Sequence, residues 1–195
     1  MIGIVDYGMG NLRSVQKALE AIGETAVISG DPAALDSCSK LILPGVGSFG
    51  AGVGELKARG LYGYLRGRAG DTKMLGICLG MQFLLDRSFE EGEHAGLCLV
   101  PGECVRFTEG KIPQIGWNEV HGLKTPLFAG IGEGTRFYFV HSFHAACADA
   151  YACAKTEYYI EYPSAIWNGN VFGVQFHPEK SGEAGLRLLR NFCGM

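Results

Sequence analysis

A chain of 195 residues is long enough to bury one substantial core, and its 17 basic and 20 acidic side chains leave a net charge of −3 mixed along the sequence. No basic run or aromatic platform marks a nucleic-acid surface, and no apolar run approaches the ~18 residues that span a bilayer. The seven cysteines are odd in number, scattered and without a Cys-x-x-Cys pair, which argues against a disulfide framework or a zinc site. No cofactor and no metal are expected. The start, "MIGIVDYG", enters a strand without the pattern of a secretory signal, so a cytoplasmic protein is expected.

The first half alternates strands and helices. "IGIVD" reads as a strand, and Leu12, Val15, Ala18, Leu19 and Ile22 then recur at helical spacing until Gly23. "TAVI" and "KLILPG" are further strands, and a glycine-rich loop leads into helices up to about Arg68. "KMLGI" is a buried strand, and a helix with Met81, Leu84 and Leu85 on one side follows Cys78. This βαβα order predicts an open, mostly parallel, flavodoxin-like α/β sheet with helices on both faces. The second half reads as short strands between turns: "GLCLVPG", "ECVRFTEG", "QIGWNEV", "RFYFVHSF", "YACAKTEY", "SAIWNGN" and "VFGVQFHPE". They predict an antiparallel extension. A closing helix over 181–194 would turn Leu186, Leu189 and Phe192 inward. No linker or repeat interrupts 1–195, so one domain is expected.

In open α/β sheets ligands bind beyond the carboxyl ends of the strands. Four segments should meet there: "DYGMGN", "PGVGSFG", "CLGMQ" and "FHPEKS". Cys78, in "LGICLGMQ", would stand at a strand-to-helix turn, raised above the sheet and facing the positive end of the helix. Gly76 and Gly80 would let the backbone turn tightly. Alone, a glycine-flanked cysteine is also an ordinary buried residue. His177, about 100 residues later, closes an alternating strand, and Glu179 lies two positions on across Pro178. In an extended segment those two side chains share a side, so Glu179 can orient His177 as a base toward a nucleophile. A thiolate attacking a carbonyl also needs donors for the oxyanion. Leu79 N–H is one, and Val46 or Gly47 in "LPGVGSFG" would supply the other. That loop lacks the Lys-Ser/Thr of a phosphate-binding loop, and "GMGNLR" has Arg13 where a dinucleotide fingerprint has glycine.

"GICLGMQ" paired with "VQFHPEKS" resembles the class I, triad-type glutamine amidotransferases. "DYGMGNLRSV", "PGVGSF", "PQIGWNEV" and "YFVHSFH" narrow the resemblance to the glutaminase subunits of imidazole glycerol phosphate synthase, along essentially the whole chain. The resemblance implies Cys78 as nucleophile on glutamine, His177 as general base and acid, and Glu179 as orienter. It implies substrate contacts at Gly47, Gln82, Glu90 and the backbone of Ser142 and Phe143. Glu90 suits an α-ammonium group, but its residue type equally suits a solvated loop acid, and Glu91 adjoins it. The resemblance also implies a (β/α)8 cyclase subunit as partner in a heterodimer, meeting Asn11, Trp117 and Lys180. Trp117 reads equally as core packing. The other histidines are expected to be structural or exposed, with backbone contact to substrate near His141. Two rivals share these residues: a related subunit feeding ammonia to another acceptor, and a binding module with a spent triad.

Overall fold

The computed structural model describes residues 1–195. The first half runs β1 (Ile2–Val5), α1 (Leu12–Ala21), β2 (Ala26–Ser29), α2 (Pro32–Asp36), β3 (Lys40–Gly45), α3 (Phe49–Ala58), α4 (Leu61–Arg68), β4 (Lys73–Cys78) and α5 (Leu79–Phe83). The second half holds β5 (Arg87–Ser88), β6 (His94–Ala95), β7 (Glu103–Arg106), β8 (Gln114–Val120), β9 (Thr135–His141), β10 (Phe143–Ala146), β11 (Ala152–Tyr158), β12 (Ile160–Asn168), β13 (Val171–Val174) and α6 (Gly182–Gly194). None of these helices is long and apolar enough to cross a membrane.

Seven strands form the main sheet in the order β11-β12-β13-β4-β3-β1-β2. The five strands from β13 to β2 run parallel, and β12 and β11 continue the sheet antiparallel. The β8–β9 hairpin and a four-stranded sheet, β10-β7-β5-β6, complete the second half. The expected parallel sheet with an antiparallel extension is therefore observed.

Position in the sheet explains β4. It lies between β3 and β13, so both faces are covered, and "MLGI" is apolar throughout instead of alternating. On one face, Val15, Ala18 and Leu19 of α1 pack with Leu188, Leu189 and Phe192 of α6 in a core that also takes in Phe137, Phe139 and Phe176. On the other, α3, α4 and α5 contribute Phe49, Val53, Leu61, Leu65, Met81 and Phe83. Each of these large side chains, fully buried, contributes roughly 1.5–3 kcal/mol. The registers Gly45↔Cys78 and Ile77↔Val174 align the carboxyl ends of β3, β4 and β13 on one edge.

Three expectations are corrected. "GLCLVPG" is not a strand. The N–H groups of Leu97, Cys98, Leu99 and Val100 bond to the carbonyls of Phe83, Leu84 and Leu85, so this segment satisfies the open end of α5 and its apolar side chains pack beneath it. In α6 the inward residues are Leu188, Leu189 and Phe192, whereas Leu186 is half-buried. Gly185 sets that face, because its backbone lies so close to the Pro178 carbonyl that a methyl group would overlap it. The run "RFYFVHSF" is not one strand, for Ser142 separates β9 from β10 and the two pair in different sheets.

Candidate active site

Cys78 is the last residue of β4 and the N-cap of α5, with φ 55° and ψ −112°. A non-glycine residue at positive φ costs on the order of 1–3 kcal/mol and persists only where its surroundings enforce it. Here they do: the sheet holds Ile77, and α5 is buried along its whole length. Backbone proximity explains the two glycines. A methyl at Gly76 would lie 2.6 Å from the Gly80 carbonyl oxygen, and one at Gly80 would overlap the Leu43 carbonyl oxygen. The turn can close only without them.

His177 and Glu179 come together as expected, but through a different local structure. His177 is extended, with φ −100° and ψ 95°, while Pro178–Lys180 is a 3-10 turn and not a continued strand. The turn is held by Ser181, whose hydroxyl donates to the His177 carbonyl (2.6 Å) and accepts from Tyr138 N–H (3.0 Å). His177 Nδ1 donates to Glu179 Oε1 at 2.8 Å. Both side chains are almost fully buried, at 2% and 1% exposure, and Glu179 Oε2 has no partner. A buried carboxylate so placed favours a positive imidazole beside it. Burial alone would lower the His177 pKa, but the Cys78 sulfur and Glu179 outweigh burial and raise it to about 9. Nδ1–H is committed to Glu179, so Nε2, which has no hydrogen-bond partner, is the ring nitrogen left for proton exchange.

Cys78 and His177 open into one cavity of about 330 Å³, within the ~300–1,000 Å³ usual for ligand pockets. Val46, Gly47, Leu79, Gln82, Glu90, Ser142 and Phe143 share its wall, so every catalytic, oxyanion and substrate residue expected from the sequence lines this cavity or, as Glu179, supports it. Leu79 is the first residue of α5 and has no intrahelical acceptor for its N–H. Val46 is 37% exposed, and Gly47 has φ 101°, a conformation that favours glycine. The structure also separates Glu90 from Glu91. Glu90 lines the cavity and accepts the Phe49 N–H at 2.6 Å, capping α3 where Ser48 does not. Glu91 is exposed and does not line this cavity; it borders an adjoining depression with Phe89 and Arg106, which Glu90, Ser142 and Phe143 also line.

A larger depression, of about 560 Å³, contains His144 and Cys147. No comparable ion pair forms there. Burial lowers the His144 pKa, and burial and Asp149 raise the Cys147 pKa to about 11.

The sequence reading missed one group in the site and expected a structural role for His141 without its partners. Gln175, fully buried, places Nε2 3.8 Å from the Cys78 sulfur. It lies two residues before His177, a spacing that could have shown it. His141 is buried with Nδ1 2.8 Å from the Phe143 carbonyl and Nε2 3.2 Å from the Tyr162 hydroxyl, and burial lowers its pKa to about 3. Neutral His141 therefore anchors the Phe143 backbone, and no local motif shows its reach to Tyr162.

The three expected interface residues lie on the surface near this edge. Trp117 is 56% exposed, its ring 6.1 Å from Tyr138, and Lys180 Nζ lies 5.9 Å from the centre of the Tyr138 ring. The core-packing reading of Trp117 is thereby excluded. Asn11 is the N-cap of α1, and α1 packs against the 3-10 turn that carries Lys180.

Fold and site together define an open α/β protein of the kind that carries a cysteine at a strand–helix elbow, here with a buried His–Glu pair lining or supporting the same cavity. Residues 3–194 match the family described as Glutamine amidotransferase class-I. The imidazole glycerol phosphate synthase subunit HisH of Sulfurimonas denitrificans is 47% identical over 98% of this chain and 97% of its own, and that of Chlorobium luteolum is 46% identical over 99% of each. A solved structure of a glutamine amidotransferase shares the fold, with TM-score 0.79 and 20% identity over 99% of this chain and 97% of its own. The chain belongs to the class-I glutamine amidotransferase family and, within it, to the HisH subunits of imidazole glycerol phosphate synthase.

Proposed function

We propose that this chain, acting as a single amidotransferase domain, hydrolyses L-glutamine to glutamate and ammonia at Cys78. The observation that carries the reading is the buried Glu179–His177 pair, 2.8 Å apart, in which His177 lines the same cavity as Cys78 and keeps Nε2 without a partner. The Cys78 thiolate attacks the side-chain amide carbon. A C–S bond forms, and the carbonyl π pair moves onto oxygen, where Leu79 N–H and an N–H of Val46 or Gly47 stabilise it. As the oxyanion collapses, the C–N bond breaks and the His177 imidazolium protonates the leaving nitrogen, which departs as ammonia. A glutamyl thioester remains. Neutral His177 then takes a proton from water, hydroxide adds to the thioester, and collapse of the second oxyanion expels the thiolate and glutamate. Gln82, Glu90 and the Ser142–Phe143 backbone hold the amino-acid end of glutamine.

The ammonia passes to a (β/α)8 cyclase subunit, which makes imidazole glycerol phosphate and aminoimidazole carboxamide ribotide in histidine biosynthesis in the cytoplasm. Support comes from the near-full-length similarity to HisH subunits and from an exposed apolar face suited to a partner. Ile115 and Trp117 project from the same side of β8 at 62% and 56% exposure, beside Tyr138 and Lys180. The Tyr138 carbonyl accepts the His177 N–H at 2.9 Å, so pressure on this face reaches the base directly. The test is glutamate release from glutamine by the purified chain, alone and with the cyclase and its nucleotide ligand. A large rise with the partner supports both parts. Activity indifferent to the cyclase refutes the partner assignment, and none in either condition refutes the chemistry.

A further inference from the structure

The glutaminase reading gives the Cys78 sulfur one partner, His177. The sulfur has two other polar neighbours, and they act in opposite directions. The Val140 carbonyl oxygen, at 3.8 Å, can receive the hydrogen of a thiol but repels a thiolate. Gln175 Nε2, also at 3.8 Å, can donate to a thiolate.

Which Gln175 atom faces the sulfur follows from the hydrogen bonds themselves. The Phe143 carbonyl can only accept, so the Gln82 atom 3.0 Å from it must be the amide nitrogen. That nitrogen also donates, at 3.1 Å, to the nearer Gln175 atom, which must therefore be the oxygen. The Gln175 nitrogen is left facing Cys78. Gln175 is fully buried, and its backbone N–H bonds to the Ser164 carbonyl at 2.9 Å, so β12 fixes the residue while Gln82 fixes its amide. A chain of donors thus runs from the pocket wall at Phe143 through Gln82 and Gln175 to the sulfur.

We infer that Gln175 is a positioning residue that donates a hydrogen bond to the Cys78 thiolate, with Gln82 setting its direction. This donor stabilises the sulfur anion before attack and again when the thioester releases it, and offsets the Val140 carbonyl. The inference rests on the glutaminase reading for its role in turnover, but the bond to the sulfur does not depend on that reading.

The test uses Gln175→Leu, which removes the donor, and Gln175→Glu. The second keeps the acceptor for Gln82 and, once ionised at the alkaline end of the profile, offers no hydrogen to the sulfur and adds a like charge. Alkylation of Cys78 by iodoacetamide is followed against pH, with peptide mass spectrometry separating Cys78 from the other six cysteines. Loss of a hydrogen bond to a charged group should move the pH profile of Cys78 alkylation up by about one unit in Gln175→Leu, and further in Gln175→Glu. Glutamine turnover should fall about tenfold in kcat with KM within about twofold. If Gln175→Leu does not fold, as judged by its thermal melt, Gln175→Glu decides. Profiles that coincide with wild type in every folded variant overturn the inference, even if wild type hydrolyses glutamine. A shifted profile in a chain that does not hydrolyse glutamine leaves the donor in place and refutes only the glutaminase reading.

Discussion

Replacing Gly76 by alanine tests whether the elbow that carries Cys78 depends on backbone contact. The added methyl would lie 2.6 Å from the Gly80 oxygen, 2.7 Å from the Gly80 carbonyl carbon and 2.7 Å from Met81 N, about 0.8 Å inside the 3.4 Å at which ordinary contact begins. All three atoms belong to the backbone of α5, and no flexible side chain can yield. Helix α5 cannot move far, because Gly80 itself rests against the Leu43 carbonyl. Strand β4 and α5 must separate at Cys78. Overpacking of this kind costs roughly 1–3 kcal/mol of stability. Misplacing a reacting group by about 1 Å costs on the order of 100-fold in rate, and the displacement here is of that order. Gly63 serves as the control. It lies in α4 with nothing within 4 Å of an added methyl, so Gly63→Ala should stabilise by about 0.5–1 kcal/mol and leave turnover unchanged. The assays are glutamate release with the cyclase present and denaturant unfolding of the chain alone. Gly76→Ala within threefold of wild-type activity would refute the argument that close packing at the elbow sets the position of the sulfur.

Other outcomes follow from the same structure. Cys78→Ser should abolish glutamine-dependent synthesis by the assembled enzyme while added ammonium still supports it; retained glutamine turnover would remove Cys78 as nucleophile. His141, whose pKa burial lowers to about 3, binds fewer protons folded than unfolded between that value and the ordinary 6.5. Stability should therefore be full above about pH 6.5 and fall by about 1.4 kcal/mol per pH unit as pH drops toward 3. His141→Asn should flatten that slope by the same amount in denaturant titrations, and an unchanged slope would show that another group controls it. Lys180→Ala and Trp117→Ala should weaken cyclase binding in a titration and leave the melting temperature within about 1 °C of wild type, as expected for exposed residues. Lys40 Nζ donates to the Cys193 carbonyl at 2.6 Å, at the carboxyl end of α6, so Lys40→Met should destabilise by about 1 kcal/mol in denaturant unfolding.

Local sequence carried much of this protein. The continuous apolar runs of β3 and β4 exist because both faces of a central parallel strand are covered, and that composition is readable without a structure. Glycine spacing around Cys78 and the His177-Pro-Glu179 step were readable for a similar reason, since each reflects a constraint on neighbouring residues. Contacts between distant segments left no such trace. "GLCLVPG" has the composition of a strand, yet its N–H groups are used on the end of α5, and only the fold brings those carbonyls to it. On the inward face of α6, Leu189 and Phe192 were read correctly but Leu186 was taken for Leu188, because Gly185 must pass the Pro178 carbonyl, a contact invisible to periodicity. The roles of Glu90, as a cap on α3 within the cavity wall, and of Gln175, beside a sulfur almost a hundred residues earlier, likewise belong to the tertiary structure. Residue type and spacing determined the candidates for a nucleophile, a base and an orienter. The register of β3, β4 and β13 decided that they meet, because only the pairing of strands brings their ends to one edge.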